Sequence, residues 1–227
     1  MKKNIIICGY GPAIAHAVAL RFGREGYHVA LIARDAQRLK QGISRLEAQG
    51  IHAQSFTADL GDVEQVKRAI AEIRTSLGTV SVLFWNAFAD IEGNLLSTTV
   101  ADLQQCLSVR VIGYITAVQE VVHDLQQNQG AVLATSGAMA ICTPEADSFS
   151  CDFSAAAIAA AAQHKTTGML VHTLTPLGIY VGEVVVNGFV IGSRGTEGYV
   201  TTINPTDVAE KYWQLNQQRL LHSVSIS

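Results

Sequence analysis

The sequence predicts an α/β fold of the doubly wound kind, in which one parallel sheet carries helices on both faces, three layers within a single domain over 1–227. Three observations carry this. Strand-like apolar runs alternate from end to end with segments of helical period. The helical segments reach about 10–15 residues or more, the length that right-handed crossovers between parallel strands require. No linker or low-complexity stretch interrupts the alternation, and 227 residues with 48% apolar content can bury a core of that size.

The elements follow in order. "NIIIC" (4–8) is a short apolar strand ending at Gly9, and "PAIAHAVALRFGREG" (12–26) has helical spacing, with Pro12 tolerated in the first turn. "YHVALIA" (27–33) is a second strand, followed by the amphipathic helix "DAQRLKQGISRLEAQG" (35–50), closed by Gly50. "HAQSFTA" (52–58) reads as a third strand and "DVEQVKRAIAEIRTSLG" (62–78) as a third helix stopped at Gly78. "VSVLFWNA" (80–87) is a buried fourth strand, with Trp85 in the core, and a long fourth helix spans 99–128. "AVLATS" (131–136) is the fifth strand, and a loop leads to the alanine-rich fifth helix around "FSAAAIAAAAQHK" (153–165). "IYVGEVVVNGFV" (179–190) reads as one long sixth strand, and "PTDVAEKYWQLNQQ" (205–218) is the last helix.

A formal charge of −3, with scattered lysines and arginines, excludes a basic field for nucleic acid or anionic membrane. The apolar run in "MKKNIIICGYG" is too short for a signal peptide, and no stretch of about 18 uncharged apolar residues suggests a membrane span, so a cytoplasmic protein is expected. Cys8, Cys106, Cys142 and Cys151 lack CxxC or zinc-like spacing and read as reduced, mostly buried thiols. The histidines show no metal-ligand spacing, so no metal is expected. Glu145, Asp147 and Asp152 read as capping charges.

In an open parallel sheet, ligands sit past the carboxyl ends of the strands, where the first turn meets a helix N-terminus. Here that turn is "CGYGPAIA" (8–15): Gly9 and Gly11 allow close backbone approach, and Pro12 and Ile14 open a helix whose free N–H groups suit a diphosphate. A glycine pair also serves as a plain tight turn. Its position after the first strand, in a unit of about 30 residues, is the one a dinucleotide motif requires. The second strand ends "ALIARD" (30–35), where an acidic tip would bind the ribose hydroxyls of NAD. Ala33 holds the tip and Arg34 follows, able to fork onto a 2′-phosphate, which favours NADP over NAD. The other reading is a solvated Arg34 beside Asp35.

These segments, over essentially the whole chain, resemble the short-chain dehydrogenase/reductase family and its Rossmann-like fold. "CGYGPAIA" stands where that family has TGxxxGxG, and "ADLGD" (58–62) resembles its adenine-contacting turn, which gives Asp59 and Leu60 that role. "WNAF" (85–88) resembles its NNAG, giving Asn86 and Ala87, and "NGFV" (187–190) stands where it has PG-x-I, giving Val190 beside the nicotinamide. The family's second and third glycines fall on Ala13 and Ala15; Ala15 is accommodated, whereas the Ala13 Cβ is expected to point at the diphosphate and weaken binding.

The resemblance implies an oxidoreductase that moves hydride between NAD(P)H and a carbonyl or alcohol, using a serine, a tyrosine, a lysine four residues later and an asparagine. "LATSGA" (133–138) puts the serine at Ser136, where a small polar residue could equally just end a strand. "RVIGYI" (110–115) puts Arg110 at the asparagine, and an arginine cannot copy an amide's paired donor and acceptor. Counting back from "PLGIYV" places the tyrosine and lysine on Ala156 and Ala160, while counting forward from Ser136 gives Phe149 and Phe153. Neither choice supplies a phenol or an ammonium, and no Tyr-x-x-x-Lys occurs anywhere in the chain. Tyr114, one turn after Arg110, is a candidate substitute acid with Arg110 as its activating cation.

Two readings therefore stand: an NADP-dependent oxidoreductase with a degenerate site, or a non-catalytic dinucleotide-binding or oligomer-forming protein that kept the fold. The alanine face suits close helix packing, and the resemblance implies a homodimer or homotetramer through the fourth and fifth helices. A pocket enlarged for a bulky ligand is the alternative use. Between Val190 and Pro205 any lid over the substrate is expected to be small.

Overall fold

The isoleucine run near the N-terminus sets the centre of the sheet. In the computed structural model, which describes residues 3–193, 196 and 198–227, Ile5, Ile6, Ile7 and Cys8 of β1 (Lys3–Cys8) are fully buried. A strand apolar on both faces needs helices on both sides. They come from α1 (Ile14–Arg24), which leads to β2 (Tyr27–Ala33), and from α2 (Ala36–Glu47), β3 (Ala53–Thr57), α3 (Val63–Leu77) and β4 (Val82–Trp85) in turn. The second half runs through α4 (Val100–Leu107), a wide π-helical turn (Ser108–Gly113), α5 (Tyr114–Gln127), β5 (Ala131–Gly137), α6 (Pro144–Ser150), α7 (Ser154–Leu174) and β6 (Tyr180–Val186). The short β7 (Phe189–Val190) and β8 (Thr201–Ile203) precede α8 (Pro205–Gln218) and β9 (Ser223–Ile226).

Seven parallel strands form the sheet in the order β3-β2-β1-β4-β5-β6-β9. The order reverses between β1 and β4, and Cys8 is level with both Ile32 and Trp85, so three strand ends finish together at the switch point. One core, holding Phe22, Leu31, Phe84 and Tyr212, lies under α1, α2 and α8. The other, holding Ile6, Leu83, Trp85 and Val118, lies under α3, α5 and α7.

The wide turn between α4 and α5 is fixed by close backbone approach. A Cβ on Gly113 would collide with the Leu60 carbonyl oxygen, and one on Gly61 would come within 3.2 Å of Val109. The long helix therefore rests directly on the 58–62 turn, and its extra-wide turn carries Arg110.

Several expectations change. The strand expected over 179–190 splits after β6, and β7 leaves the main sheet to pair with β8 in a two-stranded ribbon. β9 adds an edge strand that the reading missed, because the half-exposed "SVSI" lacks an apolar run. The loop after Ser136 contains α6, whose Thr143 cap and Pro144 first turn were a readable start signal. Glu145 and Asp147 occupy its first turn, as capping charges should. All four cysteines are free; Cys8 and Cys106 are buried, but Cys142 and Cys151 are exposed on the loops flanking α6. No helix among the described residues is long and apolar enough to cross a membrane. In the expected lid segment, Arg194, Gly195 and Glu197 lie outside the described residues.

Gly113→Ala should cost about 1–3 kcal/mol through overpacking, read as a lower midpoint in urea denaturation. Gly168→Ala in α7, where a Cβ meets open space, should instead be neutral or raise stability by up to about 1 kcal/mol.

Candidate functional site

The end of β1 is shaped by the need to seat one turn against another. Gly9 has φ +83°, a left-handed conformation suited to glycine, and a Cβ there would lie 2.5 Å from the Ala87 Cα. Asn86 locks the contact: its backbone N–H donates to the Cys8 carbonyl at 2.9 Å, and its Nδ2 donates to the Gly9 carbonyl at 3.2 Å. Tyr10 turns its ring under α2, where Gly42 leaves room for it, and its hydroxyl meets His16 Nδ1 at 3.0 Å. Space is open around Gly11. Pro12 has no amide hydrogen, and Ala13 at the N-cap offers no side-chain acceptor, so α1 starts without a side-chain cap. Ile14 and Ala15 open the helix there, an arrangement able to take a diphosphate. Ala13 is buried in the core cluster that also holds Tyr10 and Ala33. Ala15 is buried as well.

Arg34 is exposed at the tip of β2, just past the buried Ala33, while its neighbour Arg38 pairs with Asp35 at 3.3 Å. Asp59 shapes the end of β3, accepting the Gly61 N–H at 2.9 Å, and buried Leu60 meets the wide turn at Gly113. Val190 is buried in β7 near Ile203. The fold thus brings Gly9, Gly11, Pro12, Ile14, Asn86 and Ala87 around one turn, with Arg34 and Asp59 at the neighbouring strand ends.

Beside β5 the arrangement is less expected. Ser136 is buried, and its hydroxyl lies beside the Glu183 carboxyl of β6. Ala155, Ala156, Ala159 and Ala160 are buried too, and the first three pack with Ala89 and Cys106, edged by Leu103 and Leu107 of α4. The alanine face is therefore used within the chain. Only outer residues of α7, such as Ile158 and Met169, remain exposed. Of the other counted positions, Phe149 lies on α6 and Phe153 caps α7.

Arg110 is 8% exposed, and Nη1 donates to Gln163 Oε1 at 3.2 Å. Gln163 Nε2 in turn donates to the Thr135 carbonyl at 2.8 Å, one residue from Ser136. The guanidinium carbon lies 5.4 Å from the centre of the Phe88 ring. Burial pulls the guanidinium pKa down to about 10, which still leaves it charged at neutral pH. Tyr114 does not join it. Its ring is fully buried, 5.5 Å from that of Trp85, and burial raises the phenol pKa while Thr167 opposes. No interaction with Arg110 lowers it, so the substitute dyad is not formed.

Sequence reasoning missed Gln163, His164 and Glu183. Glu183 Oε2 meets His164 Nδ1 at 2.6 Å. Burial raises the Glu183 carboxyl pKa, with His164, Ser223 and the neighbouring Ser136 hydroxyl opposing. The signal was a carboxylate in the middle of the apolar "IYVGEVVV", a placement seldom fully buried without a partner. A hydroxyl beside a carboxyl–imidazole couple can hold or pass a proton. Among the described residues no group of three or more His, Cys, Asp or Glu side chains could hold a metal ion.

A sequence model of the short chain dehydrogenase family matches residues 3–185. The chain belongs to that family. It is 24% identical over 138 residues to the 3-oxoacyl-[acyl-carrier-protein] reductase FabG of Staphylococcus aureus, covering 60% of this chain and 56% of that protein. It therefore spans little more than half the length of such curated relatives. Its fold is similar to that of a short-chain dehydrogenase/reductase from Serratia marcescens, with a TM-score of 0.87 at 21% identity, covering 99% of this chain and 96% of the other. It is also similar to L-sorbose reductase from Gluconobacter frateurii complexed with NADPH and L-sorbose, with a TM-score of 0.86 at 18% identity, covering 100% and 95%.

The Glu183 carboxyl holds its proton to higher pH in the folded chain than in the unfolded one. Above the ordinary carboxylate value the folded state then binds more protons than the unfolded state, and stability falls as pH rises through the folded pKa. Glu183→Gln should flatten that slope in melting temperatures taken from about pH 4 to about pH 8. Parallel curves for both proteins would show that the carboxyl's charge contributes nothing.

Proposed function

We propose that this short chain dehydrogenase is an NADP-linked oxidoreductase whose proton-handling groups are not the tyrosine and lysine usual in its family. The observation that carries the dinucleotide part is the Gly9 turn seated on Ala87, with an α1 N-terminus that no side chain caps. Gly9, Gly11, Pro12 and Ile14 would hold the diphosphate, Asp59 and Leu60 the adenine side, and Asn86, Ala87 and Val190 the nicotinamide side. Arg34, exposed beside buried Ala33, would take the 2′-phosphate. NADPH in the L-sorbose reductase neighbour supports the same cofactor class.

Bound, the dinucleotide would supply hydride transfer to or from a carbonyl or alcohol. The chain's own part would be Ser136, holding the substrate oxygen, with Glu183 and His164 adjacent as a proton store. A second reading has its own support. Ala156 and Ala160, the positions counted for the family's tyrosine and lysine, are buried and carry neither a phenol nor an ammonium, which favours a dinucleotide-binding protein that has lost turnover. Under either reading the protein would work in the cytoplasm, as a homodimer or homotetramer joined through the outer faces of α5 and α7.

NADPH should bind with a micromolar Kd in a fluorescence titration, and Arg34→Ala should weaken it about 10–100-fold, the worth of charge-assisted hydrogen bonds to a phosphate. NADH affinity should stay within about twofold. No binding of either at millimolar concentration overturns the proposal. Across a carbonyl and alcohol panel, kcat should fall at least about 10²-fold below ordinary enzyme values, the cost of a missing general acid. NADPH binding with no turnover at all selects the second reading.

A further inference from the structure

Among the described residues the buried carboxyls have basic partners, whereas one buried cation has no carboxylate. Asp124 is paired with Arg74 at 3.0 Å, and Glu183 with His164 at 2.6 Å. Arg21 and Arg38, both more exposed than Arg110, have carboxylates at 2.7 Å and 3.3 Å. Arg110 is buried and forms no ion pair with any described residue. Its Nε–H is buried without an acceptor. Keeping an unpaired cation and an unpaired donor out of water is among the costliest arrangements a single side chain can impose.

The fork is nonetheless held in place. Gln163 takes Nη1 and is itself anchored on Thr135, so the guanidinium cannot swing to solvent without breaking that chain of hydrogen bonds. The Phe88 ring over it is 50% exposed, so the cation lies one ring away from the surface. Apolar rings continue from there. Phe153 packs beside Ala89, 6.3 Å from Phe149, which lies 6.0 Å from Phe189. Phe149, like Phe88, is partly exposed.

A fixed fork with a free N–H matches a carboxylate, which accepts two parallel hydrogen bonds, and the rings match an apolar body. We propose that Arg110 is the receptor for the carboxylate of a small acid with an aryl or alkyl body. Calling that acid the substrate rests on the oxidoreductase reading; the binding itself does not.

The test uses the full chain without dinucleotide and follows the Arg110 Nε–H signal by nitrogen-15 NMR, assigned by its loss in Arg110→Gln. Sodium benzoate is the probe, with benzyl alcohol as the uncharged analogue and sodium chloride and inorganic phosphate as anion controls. Benzoate should move the signal saturably at millimolar concentration, while benzyl alcohol and chloride should not. In Arg110→Gln benzoate affinity should fall at least about tenfold, and Arg110→Lys, which keeps the charge but not the fork, should recover only part of it. An unmoved signal overturns the proposal, as does equal benzoate affinity in wild type and variant. A response to phosphate or chloride that matches or exceeds that to benzoate also overturns it. Where Arg110→Gln fails to fold, Arg110→Lys, which also lacks the signal, supplies the assignment, and the wild-type titration then decides the matter. Benzoate binding in a protein that never takes NADPH would sink the dinucleotide reading and leave this one standing; the converse result would do the reverse.

Discussion

Everything at the carboxyl edge of the sheet depends on two backbones meeting without a side chain between them. Gly9 touches the Ala87 backbone, and Asn86 ties the two turns by hydrogen bonds from its backbone and its amide. This contact lies where the strand order reverses, so it fixes both the crevice and the direction in which α1 leaves it. Gly113 repeats the device one layer out, against Leu60. The two contacts hold the ends of β1, β3 and β4 and the long fourth helix in mutual register, and no larger residue fits at either glycine without moving backbone.

Behind that edge, the space between the sheet and α7 is unusually polar. Ser136, Glu183, Gln163, His164 and Arg110 lie there, and the Trp85 indole N–H and the Arg110 Nε–H make no hydrogen bond in the same core. Buried polar groups are generally satisfied. A layer in which two are not is a place where stability was given up, and such places tend to be functional. The alanines of α7 fit this picture. Being small, they let α7 settle onto α4, which brings Gln163 within reach of both Arg110 and Thr135.

The fold was legible because its signals are local and repeated. Ile5, Ile6 and Ile7 announce a strand buried on both faces, and Gly50 and Gly78 mark helix ends. The glycine turn was legible for the same reason, since Gly9 and Gly11 fall between a strand and a helix. What escaped depends on partners distant in sequence. β9 is a strand only because β6 offers it an edge. Tyr114 has the right spacing from Arg110 along the helix, yet Trp85, brought in by the sheet, takes its ring into the core. Glu183 and His164 are 19 residues apart and become a pair only when β6 returns beneath α7.

The two tryptophans give the molecule an optical property of its own. Trp85 is sealed from water against Tyr114, within the layer that also holds Arg110. Trp213 lies partly open on the opposite face of the sheet, stacked edge-on against Phe22 and covered by Arg21. One indole therefore emits from a dry, rigid setting beside the crevice and the other from a wetter, remote one. Red-edge excitation favours Trp213 and blue-shifted emission favours Trp85, so a single spectrum contains both a probe and its reference. Changes at the crevice can be followed in the native chain with no added label.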